Sequence, residues 1–402
     1  MNIQNGMEVP FRSHVPFLLC LMGMHLLNVL SRIVFAPLMP TIEGDLGIGH
    51  GNAGSFFLFI SLGYSTGLFG SGFIASHLTH RRTIILSSLA AGGSLIAVSL
   101  SHNLWEMRCG LMGLGLSTGF YFPSGVAALT AMVSARDWGK AFGIHQLAPN
   151  LGFVATPLLV EGLMTWFSWR GVIAIIGVIA IAVGVAFARF GKGGNFSGVP
   201  PTLQALRLLI RLPSLWVLIS FFSIGLGAYL GIYNMLPLYL VAYQGMERGW
   251  ANTLIALSWI AGLGIVFPAG WATDLLGPRR ALGVILLTTG IATLLLGLVK
   301  GGWIIPVLFL QPMLATCFPA AGLTALSRIG PHRIRNVAVS FTIQVAFLLG
   351  AGVLPAGIGI LGEAGFFSLG IILVGLMLMG STILLRYLEF QEDKDRGSGL
   401  AI

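Results

Sequence analysis

Residues 270–280 read GWATDLLGPRR, and a weaker copy of this segment, GFIASHLTHRR, occupies residues 72–82 at an offset of 198 positions. Gln146 recurs as Gln344 at the same offset. A repeat of this length predicts two homologous halves. In membrane proteins, parallel repeats of this kind build secondary transporters that hold their substrate between the halves near the midplane.

The composition places the chain in a membrane. It has 402 residues, of which 56% are hydrophobic and 9% are charged, and its mean hydropathy is +0.90. Soluble domains carry about a quarter charged residues, so a water-soluble protein is excluded. Apolar stretches of about 18 residues or more recur from end to end, and each can cross a hydrocarbon core about 30 Å thick as a helix. The sequence therefore predicts an all-α integral membrane protein.

Charged residues, prolines, glycines and asparagines divide the apolar sequence into twelve predicted transmembrane helices. Their bounds are 16–39, 52–75, 83–100, 104–130, 141–162, 170–190, 214–240, 251–273, 281–299, 303–325, 338–359 and 365–386. A polar connection separates six helices from six and contains a basic amphipathic stretch at 203–212 that could lie on the membrane surface. We expect an N-terminal half at 1–190, a cytoplasmic linker at 191–213, and a C-terminal half with a short cytoplasmic tail at 214–402.

Lysine and arginine are distributed unevenly between the two sides of the predicted membrane. Seventeen lie at the termini or in the connections on the same side, whereas Arg170, Arg248 and Lys300 lie on the other side. The positive-inside rule therefore predicts that both termini are cytoplasmic and that the protein is multi-pass in the inner (plasma) membrane. This topology accounts for most of the net charge of +9. We accordingly expect the lipid bilayer, and no nucleic acid, as the partner of the basic residues.

The sequence offers no pattern typical of an enzyme or a metal protein. The three cysteines, Cys20, Cys109 and Cys317, fall within apolar segments, where thiols act as small packing residues. The sequence contains no HExxH pair and no Walker-type loop. We therefore expect no enzymatic activity, no cofactor and no metal, and a protein that functions as a monomer.

The repeated segment resembles the loop signature GxxxDxxGxRR of the major facilitator superfamily. This resemblance implies twelve helices in two pseudo-symmetric six-helix halves, and transport by alternating access. It also implies that the loop residues latch the cytoplasmic ends of the halves together; the alternative is that their charges only determine topology. The candidate gating residues are Gly72, Ser76, Arg81, Arg82, Gly270, Asp274, Gly277, Arg279 and Arg280. In the first half, Ser76 stands where the signature has an aspartate and Thr79 stands where it has its second glycine.

Few charged residues lie inside the predicted helices, and apart from Glu106 and Glu161 at helix ends they are basic. His25 and Arg32 share one face of the first helix with Asn28 between them, because seven residues make nearly two turns. Arg108 lies near the start of the fourth helix, where pairing with Glu106 or snorkelling competes with a role in the cavity. No Asp or Glu lies in the middle third of any predicted helix. A buried charge is costly unless it has a partner, so this interior favours an anionic substrate.

Neutral polar and aromatic side chains on the other helices complete the predicted site. They are Tyr64, Tyr121, His145, Gln146, Asn150, Tyr229, Tyr233, Asn234, Gln311 and Gln344. Each can instead form an interhelical hydrogen bond, which is worth about 0.6 kcal/mol in a membrane protein.

Several short segments resemble the anion:cation symporter branch of that superfamily. They are Ser31-Arg32, the stretch Pro37 to Pro40, Tyr64, and the stretch 235–239. The resemblance implies transport of organic anions by an arginine on the first helix and a tyrosine on the second. The acidic residue that the branch usually carries next to this arginine is Ser31 here. A coupled proton would therefore travel on His25 or on the substrate.

The sequence thus favours an inner-membrane secondary transporter of a small organic anion, in particular a carboxylate. Arg32 would hold the anionic group, and Asn28, Tyr64 and Tyr233 would donate hydrogen bonds to the rest. Two alternatives remain open: a drug or metabolite efflux transporter of the same superfamily, and a membrane sensor or assembly factor that does not transport. The missing central carboxylates disfavour export of cations.

Overall fold

A computed structural model describes residues 11–198, 213–328 and 332–388, and every regular element in these ranges is a helix. The predicted amphipathic stretch 203–212 and most of the predicted linker lie outside the described residues. We use "terminal end" for the end of the bundle at which the described chain begins and finishes, and "far end" for the opposite one.

The first half contains eight α-helices. They are α1 (Val15–Ile33), α2 (Phe35–Leu46), α3 (His50–Leu78), α4 (His80–Ser99), α5 (Leu104–Gly119), α6 (Tyr121–Met132), α7 (Trp138–Met164) and α8 (Trp169–Phe190). Helices α1 and α2 form one continuous apolar segment, Phe11–Leu46.

The described part of the second half contains nine α-helices. They are α9 (Pro213–Leu226), α10 (Ile232–Leu238), α11 (Arg248–Leu276), α12 (Pro278–Leu298), α13 (Ile304–Ala315), α14 (Phe318–Leu326), α15 (His332–Ala346), α16 (Leu354–Glu363) and α17 (Phe367–Ser381). Three short π-helical segments, Gly227–Gly231, Tyr239–Tyr243 and Phe347–Val353, follow α9, α10 and α15 without a break.

The predicted helices coincide with helical segments in the described chain. Ten segments are long and apolar enough to cross a membrane. Helix α11 is bent before Pro268, and it is the eleventh such segment if its two parts count as one span. The remaining predicted span, 104–130, is present as α5 and α6, and it is less apolar because Glu106, Arg108 and several glycines lie in it. The expected all-α membrane fold is confirmed.

Glycines let helices of the first half cross at backbone distance. A Cβ added to Gly115 would lie 2.1 Å from the Ile60 carbonyl oxygen, and one added to Gly63 would lie 2.1 Å from that of Met112. Small residues at such crossings replace the hydrophobic driving force that lipid does not provide. The crossing of α3 and α5 fixes the rotation of α3, and hence the direction in which Tyr64 points.

The loop between α3 and α4 shows how the two copies of the repeated segment differ. Thr79 has φ 109° and ψ 155°, close to the φ 77° and ψ 153° of its counterpart Gly277. Such angles are essentially confined to glycine, because a Cβ crowds the backbone there. The Thr79 hydroxyl compensates in part, because it accepts a hydrogen bond from the Arg82 amide at 3.4 Å.

We expect the variant Thr79→Gly to be more stable than the wild type by about 1 kcal/mol, because the strained φ/ψ pair costs glycine little. Thermal unfolding of the purified protein in detergent measures the change. The reciprocal variant Gly277→Thr is the control, and we expect it to lower the melting temperature. If both substitutions lower it equally, the strain at Thr79 is refuted.

The two halves contact each other through polar groups at the far end. Arg248, at the start of α11, donates to Thr41 Oγ1 at 2.9 Å and to Glu161 Oε2 at 3.1 Å. The Asn252 amide donates to Glu161 Oε1 at 2.6 Å and to the Pro37 carbonyl at 3.2 Å. Thr41, Pro37 and Glu161 belong to the first half, so these bonds, which we call the far-end network, join one half to the other.

Capping and a second carboxylate reinforce this end. Glu247 accepts bonds of 2.8 Å from the amides of Gly249 and Trp250, which lowers the pKa of its carboxyl and fixes the start of α11 next to Arg248. Glu363, at the end of α16, accepts a bond of 2.9 Å from the Gly51 amide at the start of α3. The halves are therefore closed against each other at the far end.

Candidate substrate site

A cavity of about 540 Å³ lies between the halves. Its wall reaches Phe73 on α3, Pro123 on α6 and Val337 on α15, which lie toward the terminal end. Of the residues predicted to contact substrate, six line it: His25, Arg32, Tyr64, Gln146, Tyr229 and Gln344. Both halves contribute to the wall, as a transporter site at a repeat interface requires.

Arg32 lies in the wall without an acidic partner. Its guanidinium carbon is 3.9 Å from the centre of the Tyr64 ring and 5.8 Å from that of Phe347. Among the described residues it forms no ion pair, and its buried Nε has no hydrogen-bond partner. Aromatic faces attract a cation but do not neutralise it. The cavity therefore holds an uncompensated positive charge to which an anion can bind.

The ring that covers Arg32 is in contact with both halves. Tyr64 is 4.9 Å from the Phe347 ring, and the neighbouring Ser65 hydroxyl donates to the Gln344 carbonyl at 2.8 Å. Tyr64 belongs to α3, whereas Gln344 lies in the last turn of α15 and Phe347 directly follows that helix. The contacts of Arg32 thus depend on how the two halves are placed.

Behind His25 lies a stack of aromatic and imidazole rings. The His25 ring is 4.3 Å from the His145 ring, and its Nδ1 is 3.3 Å from the His145 carbonyl oxygen. The Tyr121 hydroxyl donates to the Leu21 carbonyl at 2.6 Å and lies 3.2 Å from His145 Nε2. His145 Nδ1 is buried and has no hydrogen-bond partner among the described residues. This stack, which we call the histidine pair with Tyr121, reaches the cavity only through His25.

Three predicted contacts instead form bonds between helices. Asn28 donates to the Thr118 carbonyl at 3.0 Å, Asn234 to the Ala351 carbonyl at 3.2 Å, and Gln311 to the Ala228 carbonyl at 2.9 Å. None of these amides forms part of the described cavity wall. Backbone carbonyls engage their amide nitrogens here, and their role as substrate contacts remains a prediction.

Five further candidates also lie outside that wall. Arg108 donates to Asn52 Oδ1 at 2.9 Å and to Ser55 Oγ, nearer the far end. Asn150 donates to the Gln146 carbonyl one turn earlier. Tyr121 and His145 stand behind His25, and Tyr233 lies 2% exposed against the Phe153 ring, 4.8 Å away. These five residues lie outside the described wall, and their role as substrate contacts remains a prediction.

Aromatic rings close the cavity towards the far end. Phe153 of α7 stacks on Trp259 of α11 at 4.0 Å, and Tyr229 and Tyr233 meet both rings edge-on. This aromatic floor again joins the two halves. Sequence reasoning missed Phe153 and Phe347, but Trp259, the only tryptophan far from any predicted helix end, is a signal that could have drawn attention to the floor.

The predicted gating residues lie at the terminal end. Gly72 lines the cavity, Ser76 donates to the Phe73 carbonyl at 2.7 Å, and Arg81 donates to the Ala188 carbonyl at 2.9 Å. Arg82, Asp274, Arg279 and Arg280 are exposed. Within the described ranges no ion pair joins these residues across the halves. The latch predicted for the terminal end remains a prediction.

The comparisons with known proteins agree with this arrangement. The chain is 21% identical over 267 residues to the Escherichia coli K12 protein named "Probable L-galactonate transporter", which covers 62% of this chain and 59% of that protein. It is 23% identical over 266 residues to the Cupriavidus necator protein named "Probable sulfoacetate transporter SauU", covering 61% of each. It is also 22% identical over 335 residues to the membrane sensor protein UhpC of Escherichia coli K12, covering 77% of this chain and 74% of that protein.

The chain thus spans about 60% of the length of the first two relatives. Its fold matches the crystal structure of a bacterial homolog to the human lysosomal transporter Spinster in an inward-facing and occupied conformation, with a TM-score of 0.80 and 16% identity. That match covers 96% of this chain and 99% of the other. The family model of the Major Facilitator Superfamily matches residues 21–269. The helical halves, the cavity between them and this match show that the chain belongs to the major facilitator superfamily of multi-pass membrane transporters.

Proposed function

We propose that this protein is a monomeric secondary transporter that carries a small organic anion across the plasma membrane by alternating access. The observation that carries this proposal is Arg32, a cation in the cavity wall with no acidic partner among the described residues. Leaving such a charge unpaired inside a membrane protein is costly, so its retention points to a ligand that supplies the negative charge. The names of two relatives, which refer to galactonate and sulfoacetate, support an organic acid.

In the proposed complex the carboxylate lies against Arg32, whose planar guanidinium can donate two parallel hydrogen bonds. Gln146 of the first half and Gln344 of the second half line the same cavity and can bind the rest of the molecule. A ligand that contacts both halves binds with different affinity to the inward-open and outward-open conformations. Only such a difference in affinity allows the ligand to shift the equilibrium between them.

The membrane orientation belongs to the same proposal. In this proposal the chain has one half at 1–190 and one at 214–402, and both termini and the linker at 191–213 lie in the cytoplasm. The closed far end would then face the periplasm. The cavity would then open towards the cytoplasm. Cysteine labelling tests this orientation. The three native cysteines are first replaced (Cys20→Ser, Cys109→Ser and Cys317→Ser), and a single new cysteine is then introduced by Lys300→Cys or Arg82→Cys. In sealed right-side-out vesicles an impermeant maleimide should label the first position and not the second.

Transport itself is tested in proteoliposomes. We expect an inside-to-outside gradient of unlabelled carboxylate to drive counterflow of the labelled compound, and its uncharged amide to have no effect. A panel of carboxylates of different size identifies the best substrate. Equal competition by acid and amide would show that the negative charge is not recognised, and the proposal would fail.

For coupling to protons we propose the histidine pair with Tyr121. Stacked imidazoles 4.3 Å apart repel each other when both are charged, so the pair is suited to carry a single proton. His25 lines the same cavity as Arg32, so a bound anion that neutralises Arg32 removes the repulsion that opposes a proton on His25. Anion and proton would then each favour binding of the other, which is the thermodynamic condition for symport.

We expect His25→Gln to abolish accumulation driven by a pH gradient while counterflow of the same substrate continues. The reason is that counterflow needs substrate binding and the conformational change but no net proton movement. His77→Gln, at an exposed histidine outside the cavity wall, is the matched control and should accumulate substrate normally. Undiminished accumulation by His25→Gln would contradict this role.

A second candidate function is a sensor that recognises an anion without transporting it. The similarity to the membrane sensor protein UhpC, over 77% of this chain, favours it. This alternative predicts substrate binding without counterflow. The efflux alternative predicts instead that a strain lacking the protein becomes sensitive to drug-like compounds, which resistance profiling would detect.

A further inference from the structure

We propose that the preferred anion carries one negative charge on an apolar, ring-bearing body, as aromatic carboxylates and sulfonates do. This inference rests on the proposed function, since it specifies the substrate of the same cavity. It predicts that sugar acids and sugar phosphates, which are anions of a different chemical class, are bound poorly. Three properties of the described cavity wall carry it.

The first property is charge. Arg32 is the only lysine or arginine among the described residues that form the wall, and no Asp or Glu is among them. One guanidinium matches one carboxylate or sulfonate, with two parallel hydrogen bonds. A phosphate monoester would bring a second negative charge into an apolar cavity in which the described residues offer no second permanent cation. The wall therefore favours a monoanion.

The second property is the apolar character of the wall. Ten of its 29 described residues are phenylalanine or tyrosine. The neutral polar side chains other than tyrosine are Ser71, Gln146, Ser340 and Gln344. A sugar acid brings a hydroxyl group on nearly every carbon, and each hydroxyl must exchange water for a partner in the cavity. This wall has too few such partners, whereas an aromatic ring needs none.

The third property is the arrangement of the rings around Arg32. Tyr64 and Phe347 are next to the guanidinium, and Phe153 and Tyr229 lie 5.3 Å apart at the floor, where the cavity ends. Phe153 and Tyr64 belong to one half, and Tyr229 and Phe347 belong to the other. A ring attached to a carboxylate on Arg32 can therefore contact aromatic surface of both halves. Aromatic pairs prefer edge-to-face or offset contacts of the kind that this floor already contains.

The test uses the purified full-length protein and five probes: phenylacetate, 1-naphthaleneacetate, phenylacetamide, gluconate and glucose 6-phosphate. Binding is measured by the shift of the thermal transition, and recognition is measured by inhibition of counterflow. We expect the two aromatic acids to bind at least about 100-fold more tightly than gluconate, because each unmatched hydroxyl weakens binding to an apolar site. Phenylacetamide, which has the ring without the charge, should not bind detectably.

A variant of the floor makes the test specific for the ring. Phe153→Leu should weaken phenylacetate binding about tenfold and leave acetate binding unchanged, because acetate has no ring to pack against the floor. Phe167→Leu, at an exposed phenylalanine outside the described cavity wall, is the matched control. If both variants bind phenylacetate as the wild type does, the ring does not lie on the floor and the proposal is overturned.

The outcomes separate this inference from the proposed function. Tight binding of gluconate or glucose 6-phosphate that is lost in Arg32→Gln would refute the apolar body and retain an anion transporter. Equal binding of phenylacetate and phenylacetamide would instead refute recognition of the charge, and with it the proposed function. Absence of any response to the aromatic acids, in protein that shows a single cooperative thermal transition, would also overturn the inference.

Discussion

Replacement of Arg32 by glutamine is expected to weaken binding and uptake of the transported anion about 100-fold, which corresponds to about 2.7 kcal/mol. Two charge-assisted hydrogen bonds to a carboxylate are worth about this much or more. The thermal stability should not fall, because Arg32 forms no ion pair among the described residues and its removal relieves the cost of burying an unpaired charge, which offsets the lost contacts with the Tyr64 and Phe347 rings. Counterflow in proteoliposomes and unfolding in detergent measure the two effects separately.

Two further variants isolate the position and the shape of the charge. Arg32→Lys keeps the positive charge but loses the planar fork, so its binding should lie between those of the wild type and Arg32→Gln. Arg108→Gln removes a guanidinium that is bonded to Asn52 and Ser55 outside the cavity wall, and it should leave the affinity unchanged. Wild-type affinity in Arg32→Gln would remove the observation on which the proposed function depends.

Removal of Arg248 is expected to open the far end. In Arg248→Gln, Glu161 and Thr41 lose their bonds to Arg248, and Glu161 keeps only its bond to Asn252 of the other half among the described contacts. Losing one partner of a partly buried charged pair costs about 2 to 3 kcal/mol, less than for a fully buried pair, and shifts the conformational equilibrium by roughly 30- to 150-fold. Spin labels at Trp166→Cys and Lys300→Cys, at the far end of different halves, should report a longer distance.

A pair within one half provides the matched control. Arg170 of α8 bonds to Asp45 of α2, and both belong to the first half. Arg170→Gln should lower the stability of that half slightly and leave the distance between the labels unchanged. If Arg248→Gln and Arg170→Gln have the same effect on that distance, the far-end network does not control closure.

Much of the fold follows from local properties of the chain. Long apolar stretches separated by polar residues form helices in a membrane because every backbone N–H and C=O must be bonded there. The repeat of 72–82 at 270–280 indicates two halves, and the family match and the fold confirm a helical transporter of the major facilitator superfamily. Arg32 was found for a similar reason. An arginine within an apolar helix stands out, and no acidic residue lies at mid-depth to pair with it.

The candidate site followed less well from the sequence. Asn28, Asn234 and Gln311 are as polar as Gln146 and Gln344, yet the first three bond to neighbouring helices and the last two line the cavity. Composition does not separate these two groups. Helix periodicity defines which residues share a face, but it does not determine which neighbour that face meets.

The sequence by itself determined that this protein crosses the membrane many times, that it contains an internal repeat, and that an arginine lies within an apolar helix with no acidic residue at mid-depth. Those features depend on the hydrophobicity, the length and the charge of each segment alone. The tertiary structure decided which polar groups face the cavity, how Phe153 and Trp259 form its floor, and how Arg248 closes the far end. These features join residues of different helices, and they depend on the rotation of each helix that close glycine crossings such as Gly115 against Ile60 impose.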